Sequence, residues 1–330
     1  MPEQLSSKLE ELLKTAQGKE VSLDQLRAEL RIEPGTKPWH SIRVLMHNLA
    51  ERKVVKPSGR KDGIYKVIQQ IKPIRVFGRE RRPPVRLNFP TARDTGLELS
   101  FAEDIIFREG DMVLLSGQSN YGKTALCLNF CGENLDMWPN LMGNEYTSVE
   151  DEPMPRFLNR LDSMDWVEWI DDEGQERFTL LPVRADYAEH IIKDRLNIID
   201  WVNLPGEYYM ISPVMEAIKH ESGRGITIIA LQKNPGVEYG RGGNLTKDFA
   251  DCELLLDKFG EGGEVLLTIG KVKEYRRPVT GRTFAYQVAD GVKVMNFREV
   301  VKCLPCRGTG FTRSGQCEAC DGKGKTNKDF

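Results

Sequence analysis

The chain has 330 residues, enough for one domain of about 200 residues and one or two smaller ones. Its composition, 40% hydrophobic and 29% charged, is that of a globular protein, and its longest apolar stretches, such as residues 226–231, are too short to span a bilayer. The first residues lack the basic-then-apolar pattern of a signal peptide, so we expect a soluble, cytoplasmic protein with no membrane partner and no disulfide framework.

The charge is unevenly distributed along the chain, although the net charge is only −2. Residues 1–86 hold 19 Lys and Arg against 10 Asp and Glu, and residues 300–330 hold 6 against 3, which leaves 22 against 36 in the middle. Two basic arms around an acidic core favour a polyanionic partner held by the arms. Basic surface is also common without such a partner, so charge alone leaves both interpretations open.

Residues 1–70 show three helical patterns followed by a basic hairpin. Apolar residues recur at helical spacing over 5–17, 23–31 and 38–52, and two β-like runs follow at 54–55 and 64–67. This order resembles a winged helix, in which the third helix enters the major groove of DNA and the hairpin contacts the backbone. The resemblance implies DNA contacts by Arg43, Lys53, Lys56, Arg60 and Lys61. A winged helix that binds proteins is the alternative.

Residues 71–95 are predicted to be a basic linker. Prolines interrupt regular structure there, and arginines keep the segment solvated. The linker could lie on DNA or on a neighbouring subunit, and a solvated tether is the simpler interpretation.

The strongest motif is a match to GxxxxGK[ST] over residues 117–124. Residues 112–116 read as a buried strand and residues 125–130 as the start of a helix, which is the order that phosphate binding needs. Glycines let the backbone wrap a phosphate closely, and consecutive N–H groups and the helix N-terminus face its oxygens. We therefore predict that ATP is bound by Gly117, Gln118, Ser119, Asn120, Tyr121, Gly122, Lys123 and Thr124.

Two later apolar runs end in polar residues that suit the same site. The first ends in Asp200, which would complete a Mg²⁺ site with Thr124. The second ends in Gln232, whose side-chain amide is suited to sense the γ-phosphate. Cys127 and Cys131, on the predicted helix, are most simply core residues.

Residues 108–290 resemble the RecA-like ATPases, especially the branch of DnaB-type replicative helicases, plasmid RepA helicases and KaiC-like proteins. The resemblance implies an α/β fold with a mainly parallel sheet over residues 96–299 and a glutamate that activates water after the second strand. Glu150, in the segment 146–151, best matches that glutamate, whereas Glu145 and Glu152 fit less well. Glu150, Lys123 and Gln232 are then the predicted catalytic residues.

The DnaB-type proteins also carry a KxRxGPxG-like hairpin that reaches into a neighbour's ATP site. Residues 273–281 are similar. Lys273 matches the lysine of this motif and Pro278 matches its proline, but Tyr275 occupies the position of its arginine. Arg276 or Arg277 would then replace the arginine as a finger in trans, which would require an oligomer. Solvated hairpin charges are the alternative.

The glycine-rich segment 233–243 follows Gln232. In RecA-like proteins the loop at this point lines the DNA channel, and Lys233, Tyr239 and Arg241 are of the types that contact single strands. A surface loop without a ligand is the alternative.

Two copies of CxxCxGxG occupy residues 303–324, within a predicted module at 300–324 that precedes a tail at 325–330. Four thiolates in paired CxxC turns give the tetrahedral cage that Zn²⁺ prefers, so Cys303, Cys306, Cys317 and Cys320 are predicted ligands. The spacing resembles the DnaJ-type cysteine-rich domain. A redox dithiol is the alternative. The module would contact nucleic acid through Arg307, Arg313, Lys323 and Lys325, or else a partner protein.

The sequence as a whole predicts an ATP hydrolase that acts on DNA, with ATP, Mg²⁺ and Zn²⁺ as cofactors and a ring or filament of identical subunits. A helicase is one version, and a loader or recombination mediator is another. The alternative is a KaiC-like, ATP-switched DNA-binding regulator that hydrolyses ATP slowly.

Overall fold

The computed structural model describes residues 2–328, apart from 60, 70, 72, 79, 149, 151, 205–209, 235, 238 and 244. The chain divides into two compact units, Met1–Arg81 and Arg82–Phe330. The second half of the segment predicted as a linker belongs to the larger unit, because Leu87 and Phe89 are buried in its core.

The smaller unit contains three helices and a three-stranded antiparallel sheet. In chain order its elements are α1 (Pro2–Thr15), β1 (Glu20–Ser22), α2 (Leu23–Glu29), α3 (Lys37–Glu51), β2 (Val55–Pro57) and β3 (Ile64–Val67). The sheet order is β1-β3-β2. Ser22 caps α2, since its hydroxyl accepts from the Gln25 N–H while the Gln25 side chain accepts from the Ser22 N–H. The helices meet around Leu9, Ile42 and Met46, all fully buried.

The larger unit begins with a small hairpin, β4 (Thr91–Ala92) and β5 (Leu97–Glu98), and then builds an α/β core. The core elements are β6 (Met112–Gly117), α4 (Lys123–Glu133), β7 (Asn140–Met142), α5 (Pro155–Asp162), β8 (Thr179–Leu181), β9 (Asn197–Ile199), α6 (Ile211–Glu221), β10 (Thr227–Gln232), α7 (Leu245–Phe249) and β11 (Cys252–Phe259). The chain continues with β12 (Glu264–Val272), β13 (Thr283–Ala289), β14 (Lys293–Lys302), β15 (Phe311–Thr312), β16 (Gly315–Gln316) and β17 (Lys325–Asn327).

Within the described residues, one ten-stranded sheet has the order β17-β14-β13-β12-β11-β6-β10-β9-β7-β8. The strands from β11 to β8 are parallel, and those from β12 to β17 add to this block as antiparallel neighbours. The predicted α/β class with a mainly parallel sheet is therefore confirmed. All six residues of β6 are buried, as expected for a strand covered by helices on both faces.

The direction of these strands brings the polar ends of several strands to one edge. β6 ends at Gly117, which pairs with Gln232 at the end of β10, while β9 and β7 run in the same direction and lead into Asp200 and Glu145. Ligands of open parallel sheets bind at the carboxyl ends of the strands, so this edge is where a site is expected.

The C-terminal residues are part of the sheet. β17 pairs with the end of β14, so residues 325–327 of the predicted tail and residues 300–302 of the predicted cysteine module both lie in strands. Among the described residues, no helix is both long enough and apolar enough to cross a membrane.

Candidate functional site

The loop from β6 to α4 has a backbone that glycine makes possible. Gly122 has a φ of 78° and Asn120 a φ of 66°, so the chain folds back on itself before the helix begins at Lys123. A Cβ on Gly117 would lie 3.0 Å from both the Leu256 Cβ and the Lys123 Cγ. The loop therefore leads directly into the N-terminus of α4, an arrangement that is suited to binding an anion.

Lys123 is almost fully buried within this loop. Its Nζ donates to the carbonyl oxygens of Gly117 at 3.0 Å and of Gln118 at 2.7 Å. Burial lowers the pKa of Lys123, and the negative charge of Asp200 opposes that shift. The Lys123 ammonium is therefore held at the loop by two backbone carbonyl groups.

Asp200 is buried beside the start of α4. Its Oδ2 accepts a hydrogen bond from the Tyr146 hydroxyl at 2.7 Å, and the Thr124 side chain lies close enough to lower the pKa of the carboxyl group. Its Oδ1 has no hydrogen-bond partner among the described residues, although the residue is only 1% exposed. Burial raises the pKa of Asp200, and the hydrogen bonds oppose that shift. A buried, unsatisfied carboxylate oxygen beside a threonine hydroxyl fits a hard cation such as Mg²⁺.

A cavity of about 380 Å³ opens over the loop. Of the residues predicted for ATP, those that line it are Ser119, Asn120, Gly122, Lys123 and Thr124. The predicted sensor Gln232 lines it too, from the neighbouring strand. Gln118 has a different role, because its Nε2 donates to the Asp257 Oδ1 at 2.9 Å.

Among the described residues, the carboxylate side chain that lines this cavity is that of Glu145, and Glu150 does not line it. Glu145 lines the cavity, its Oε1 accepts from the Trp201 Nε1 at 3.4 Å, and its charge affects the pKa values of both Lys123 and Asp200. Glu150 lies in an exposed turn, where its backbone N–H donates to the Ser148 hydroxyl. Glu145 fitted less well in the sequence because residues 146–151, with Glu150, gave the better match to the segment that carries this glutamate in DnaB-type proteins.

Two arginines of the cavity were missed in the sequence. Arg156 and Arg160 on α5 both line it, and their spacing of four residues is the only sequence signal for a shared helix face. The side chain of Phe157, between them, packs on Tyr146 with ring centroids 4.8 Å apart.

The glycine-rich loop after β10 does not present Lys233 to solvent. Lys233 is only 5% exposed, and its Nζ lies 2.5 Å from the Asp257 Oδ2. Tyr239 is 38% exposed, and Arg241 is half-buried with its backbone N–H donating to the Gln232 carbonyl. Of the three predicted DNA contacts in the loop, Lys233 is instead paired with Asp257, which also accepts from Gln118.

The residues predicted as a finger lie between β12 and β13. Val272 pairs with Cys252 at the start of β11, so this segment is at the sheet edge opposite the loop 117–124. Lys273 forms an ion pair with Asp251, and Arg277 forms one with Asp104. Arg276 is exposed, and its side chain has no ion-pair partner within the described part of the chain.

The four C-terminal cysteines come together as predicted. Their sulfur atoms all lie within 4.8 Å of one another, with 3.8 Å between Cys303 and Cys317 and 3.6 Å between Cys306 and Cys320. A tetrahedron of thiolates about 2.3 Å from Zn²⁺ has edges of about 3.8 Å, so the cluster has the size of a zinc cage. The N–H groups of Gly310 and Gly324 donate to the Cys306 and Cys320 sulfur atoms, as expected for knuckles that hold thiolates.

The basic residues around the cysteines divide into two groups. Lys323 lies 3.3 Å from the Glu264 carboxylate and over the Phe259 ring, and Lys325 donates to the Thr283 hydroxyl, so both attach the module to the sheet. Arg307 and Arg313 are exposed.

In the smaller unit, the predicted DNA-binding residues Arg43, Lys53, Lys56 and Lys61 are exposed. The Arg43 guanidinium lies 5.6 Å from the centre of a Trp39 ring. Arg60 lies outside the described residues.

No protein-family model matches this chain, and no curated protein matches it. Among solved structures, the chain is similar to the RadB recombinase, with a TM-score of 0.42 and 14% identity over 57% of this chain and 91% of that one. It is also similar to a KaiC-like protein from Pyrococcus horikoshii OT3, with a TM-score of 0.44 and 17% identity over 64% of this chain and 97% of that one. Because both TM-scores are below 0.5, function is inferred from the site itself.

Proposed function

We propose that this protein is an ATP hydrolase of the RecA-like kind that acts on DNA. The observation that carries the proposal is one cavity lined by Lys123, Thr124 and Glu145, with the buried carboxylate of Asp200 close enough to influence the Lys123 ammonium. These are the groups that phosphoryl transfer needs: a cradle for the phosphates, ligands for a metal, and an acceptor near the attacking water.

In this proposal Lys123 and the loop amides hold the β- and γ-phosphates. Thr124 and the Asp200 Oδ1 would hold Mg²⁺, which when bound offsets charge on the phosphate oxygens. Tyr146 keeps the Asp200 carboxylate oriented through its hydroxyl. Glu145 takes the role that sequence similarity suggested for Glu150, because it lines the cavity and Glu150 does not.

Gln232 is proposed to couple the γ-phosphate to the glycine-rich loop. Its side chain lines the cavity, while its carbonyl accepts from the Arg241 N–H at 2.6 Å. The same residue therefore contacts both the nucleotide space and the loop that carries Tyr239 and Arg241, which are proposed to contact single-stranded DNA.

The proposed DNA contacts of the smaller unit lie on α3 and the hairpin of β2 and β3. Three helices and an antiparallel sheet with a basic hairpin fit a winged helix, with Arg43, Lys56 and Lys61 exposed for contact. Zn²⁺ is proposed to be held by the four clustered cysteines, mainly to fold the small module around them. A homo-oligomer is proposed in which Arg276, at the sheet edge opposite the loop 117–124, would assist hydrolysis, and not phosphate binding, at the nucleotide of another copy.

The ATPase proposal is tested by Lys123→Ala. Loss of the ammonium is expected to reduce ATP turnover by at least about 10²-fold, because no other lysine lines the cavity among the described residues. Turnover is measured with and without single-stranded DNA. Strong stimulation of the wild type by the strand supports a motor, whereas a wild type that neither binds nor hydrolyses ATP would refute the proposal.

The second candidate function is a slow, ATP-switched DNA-binding regulator. Three cations that a motor could use are held in ion pairs within the chain: Lys233 with Asp257, Lys273 with Asp251 and Arg277 with Asp104. Because these side chains are already paired, fewer cations are left to contact DNA or a neighbour's nucleotide, which favours the regulator. ATP turnover that DNA does not change, together with DNA affinity that ATP does change, would identify this function.

DNA binding by the smaller unit is tested with Lys61→Glu in the full chain. We expect duplex binding to weaken several-fold and the slope of log K against log salt concentration to decrease by about one, as for one lost phosphate contact. Lys8→Glu, on α1, makes the same charge change at another exposed lysine and is the matched control. Equal losses in the two variants would show that only overall charge matters.

A further inference from the structure

The charges around the cavity leave a shortage of cations for a triphosphate. The groups already assigned there are one ammonium, Lys123, and two carboxylates, Asp200 and Glu145. Loop amides and the N-terminus of α4 contribute partial positive charge. A triphosphate is strongly anionic, and sites of phosphoryl transfer generally supply guanidinium or ammonium groups beyond the loop lysine.

Arg156 and Arg160 are cations at this cavity, and no carboxylate among the described residues forms an ion pair with either of them. They lie one helical turn apart on α5, and both line the cavity. Neither guanidinium has a hydrogen-bond or ion-pair partner within the residues that the structure describes. By contrast, the hairpin cations Lys273 and Arg277 are held by Asp251 and Asp104 at the far sheet edge.

The chain makes space for Arg160 at this position. A Cβ on Gly291, in the turn between β13 and β14, would lie 3.3 Å from the Arg160 Nε and 3.6 Å from its Cγ. Gly291 has a φ of 74°, and the same residue lines the cavity. The half-buried Arg160 side chain thus lines the cavity beside a turn residue, Gly291, that has no side chain. Phe157, buried against Tyr146, fixes the rotation of α5 that directs the arginines there.

From this arrangement we infer that Arg160, assisted by Arg156, binds the phosphate chain of the nucleotide within the same subunit. This inference rests on the proposed ATPase function and deepens it. The site then has its own arginine, and phosphate binding does not need a finger from a neighbour. A planar guanidinium suits this role because it can donate two parallel hydrogen bonds to phosphate oxygens.

The contact is tested by titrating the full-length protein with ATP and, separately, with inorganic triphosphate, both with Mg²⁺. Arg160→Gln is expected to raise the dissociation constants of both ligands by about tenfold or more. Arg160→Lys keeps the positive charge but not the two parallel N–H donors, and it is expected to raise both dissociation constants less than Arg160→Gln does. Arg195→Gln is the matched control, because Arg195 is also half-buried but precedes β9 at the opposite edge.

The outcomes separate this inference from the proposed function. If Arg160→Gln weakens the binding of ATP but not that of inorganic triphosphate, the arginine contacts the nucleoside and the inference is overturned. Unchanged affinity for both ligands also overturns it. If the wild type itself binds neither ligand, the ATPase proposal fails first.

Whether the contact is made within one subunit is tested by mixing two variants. Arg160→Gln has an intact Lys123, and Lys123→Ala has an intact Arg160. An arginine acting across an interface would restore turnover in the mixture, because one chain would complete the other's site. We expect no restoration. Recovered ATP turnover would overturn the assignment to the same subunit.

Discussion

Glu145→Gln is expected to reduce ATP turnover at saturating ATP by about 10²–10⁴-fold while ATP binding remains close to that of the wild type. Glutamine keeps the size of the side chain but removes the charge and most of the basicity that a water-orienting group needs. Glu145 is the glutamate that lines the cavity among the residues that the structure describes. It also accepts from the Trp201 indole, a contact that the amide oxygen of glutamine can keep.

Glu150→Gln provides the matched control for this prediction. Glu150 is exposed in a turn and does not line the cavity, so its variant is expected to turn over ATP at the wild-type rate. The measurement is phosphate release under saturating ATP, with nucleotide binding followed separately. If Glu150→Gln loses turnover and Glu145→Gln does not, the role belongs to Glu150, as similarity in the sequence suggested.

Removal of zinc is expected to unfold the cysteine module. The purified protein is expected to contain one zinc per chain, and Cys306→Ser is expected to lose it and to unfold residues 303–324. Structural zinc contributes an apparent ~10–16 kcal/mol in small zinc domains, far more than so small a module can gain from apolar burial. Zinc content by elemental analysis and hydrogen exchange of the Gly310 and Gly324 amides are the measurements.

Cys131→Ala is the control for zinc content. Cys131 is buried in the core of the larger unit, away from the cluster, so its loss is expected to lower stability but to leave the zinc content at one per chain. A native protein that has no metal and carries disulfides among the four clustered cysteines would contradict the prediction and support the redox alternative.

The attachment of the module suggests how zinc loss would affect the rest of the larger unit. Lys323 and β17 connect the module to Glu264 and β14, at the outer antiparallel edge of the sheet. The nucleotide cavity is lined mainly by the loop 117–124, the start of α4 and α5. The antiparallel strands contribute Val288 and Gly291, near the turn before β14, whereas the module attaches at the other end of β14. ATP binding is therefore expected to survive zinc removal better than the C-terminal segment itself does.

Several features of this protein could be determined from the sequence because they depend on short contiguous stretches. The phosphate-binding geometry of a GxxxxGK[ST] loop is set by its own backbone, which is why residues 117–124 could be predicted as a phosphate site before the fold was known. The CxxC pairs could be identified for the same reason, since each pair forms a local turn. Asp200 was also found, because an apolar run that ends in a carboxylate is a local pattern.

Only the tertiary structure decided which of the remaining charged residues meet at the cavity. Glu145 rather than Glu150 lines it because β7 is very short and ends at Met142, a boundary that hydrophobic pattern could not give. Lys233 is buried by Asp257, a residue of another strand, and Arg160 reaches the cavity past Gly291, 131 positions further along the chain. Such contacts depend on strand order and on the face from which each side chain projects, and both are set by packing between segments that are distant in sequence.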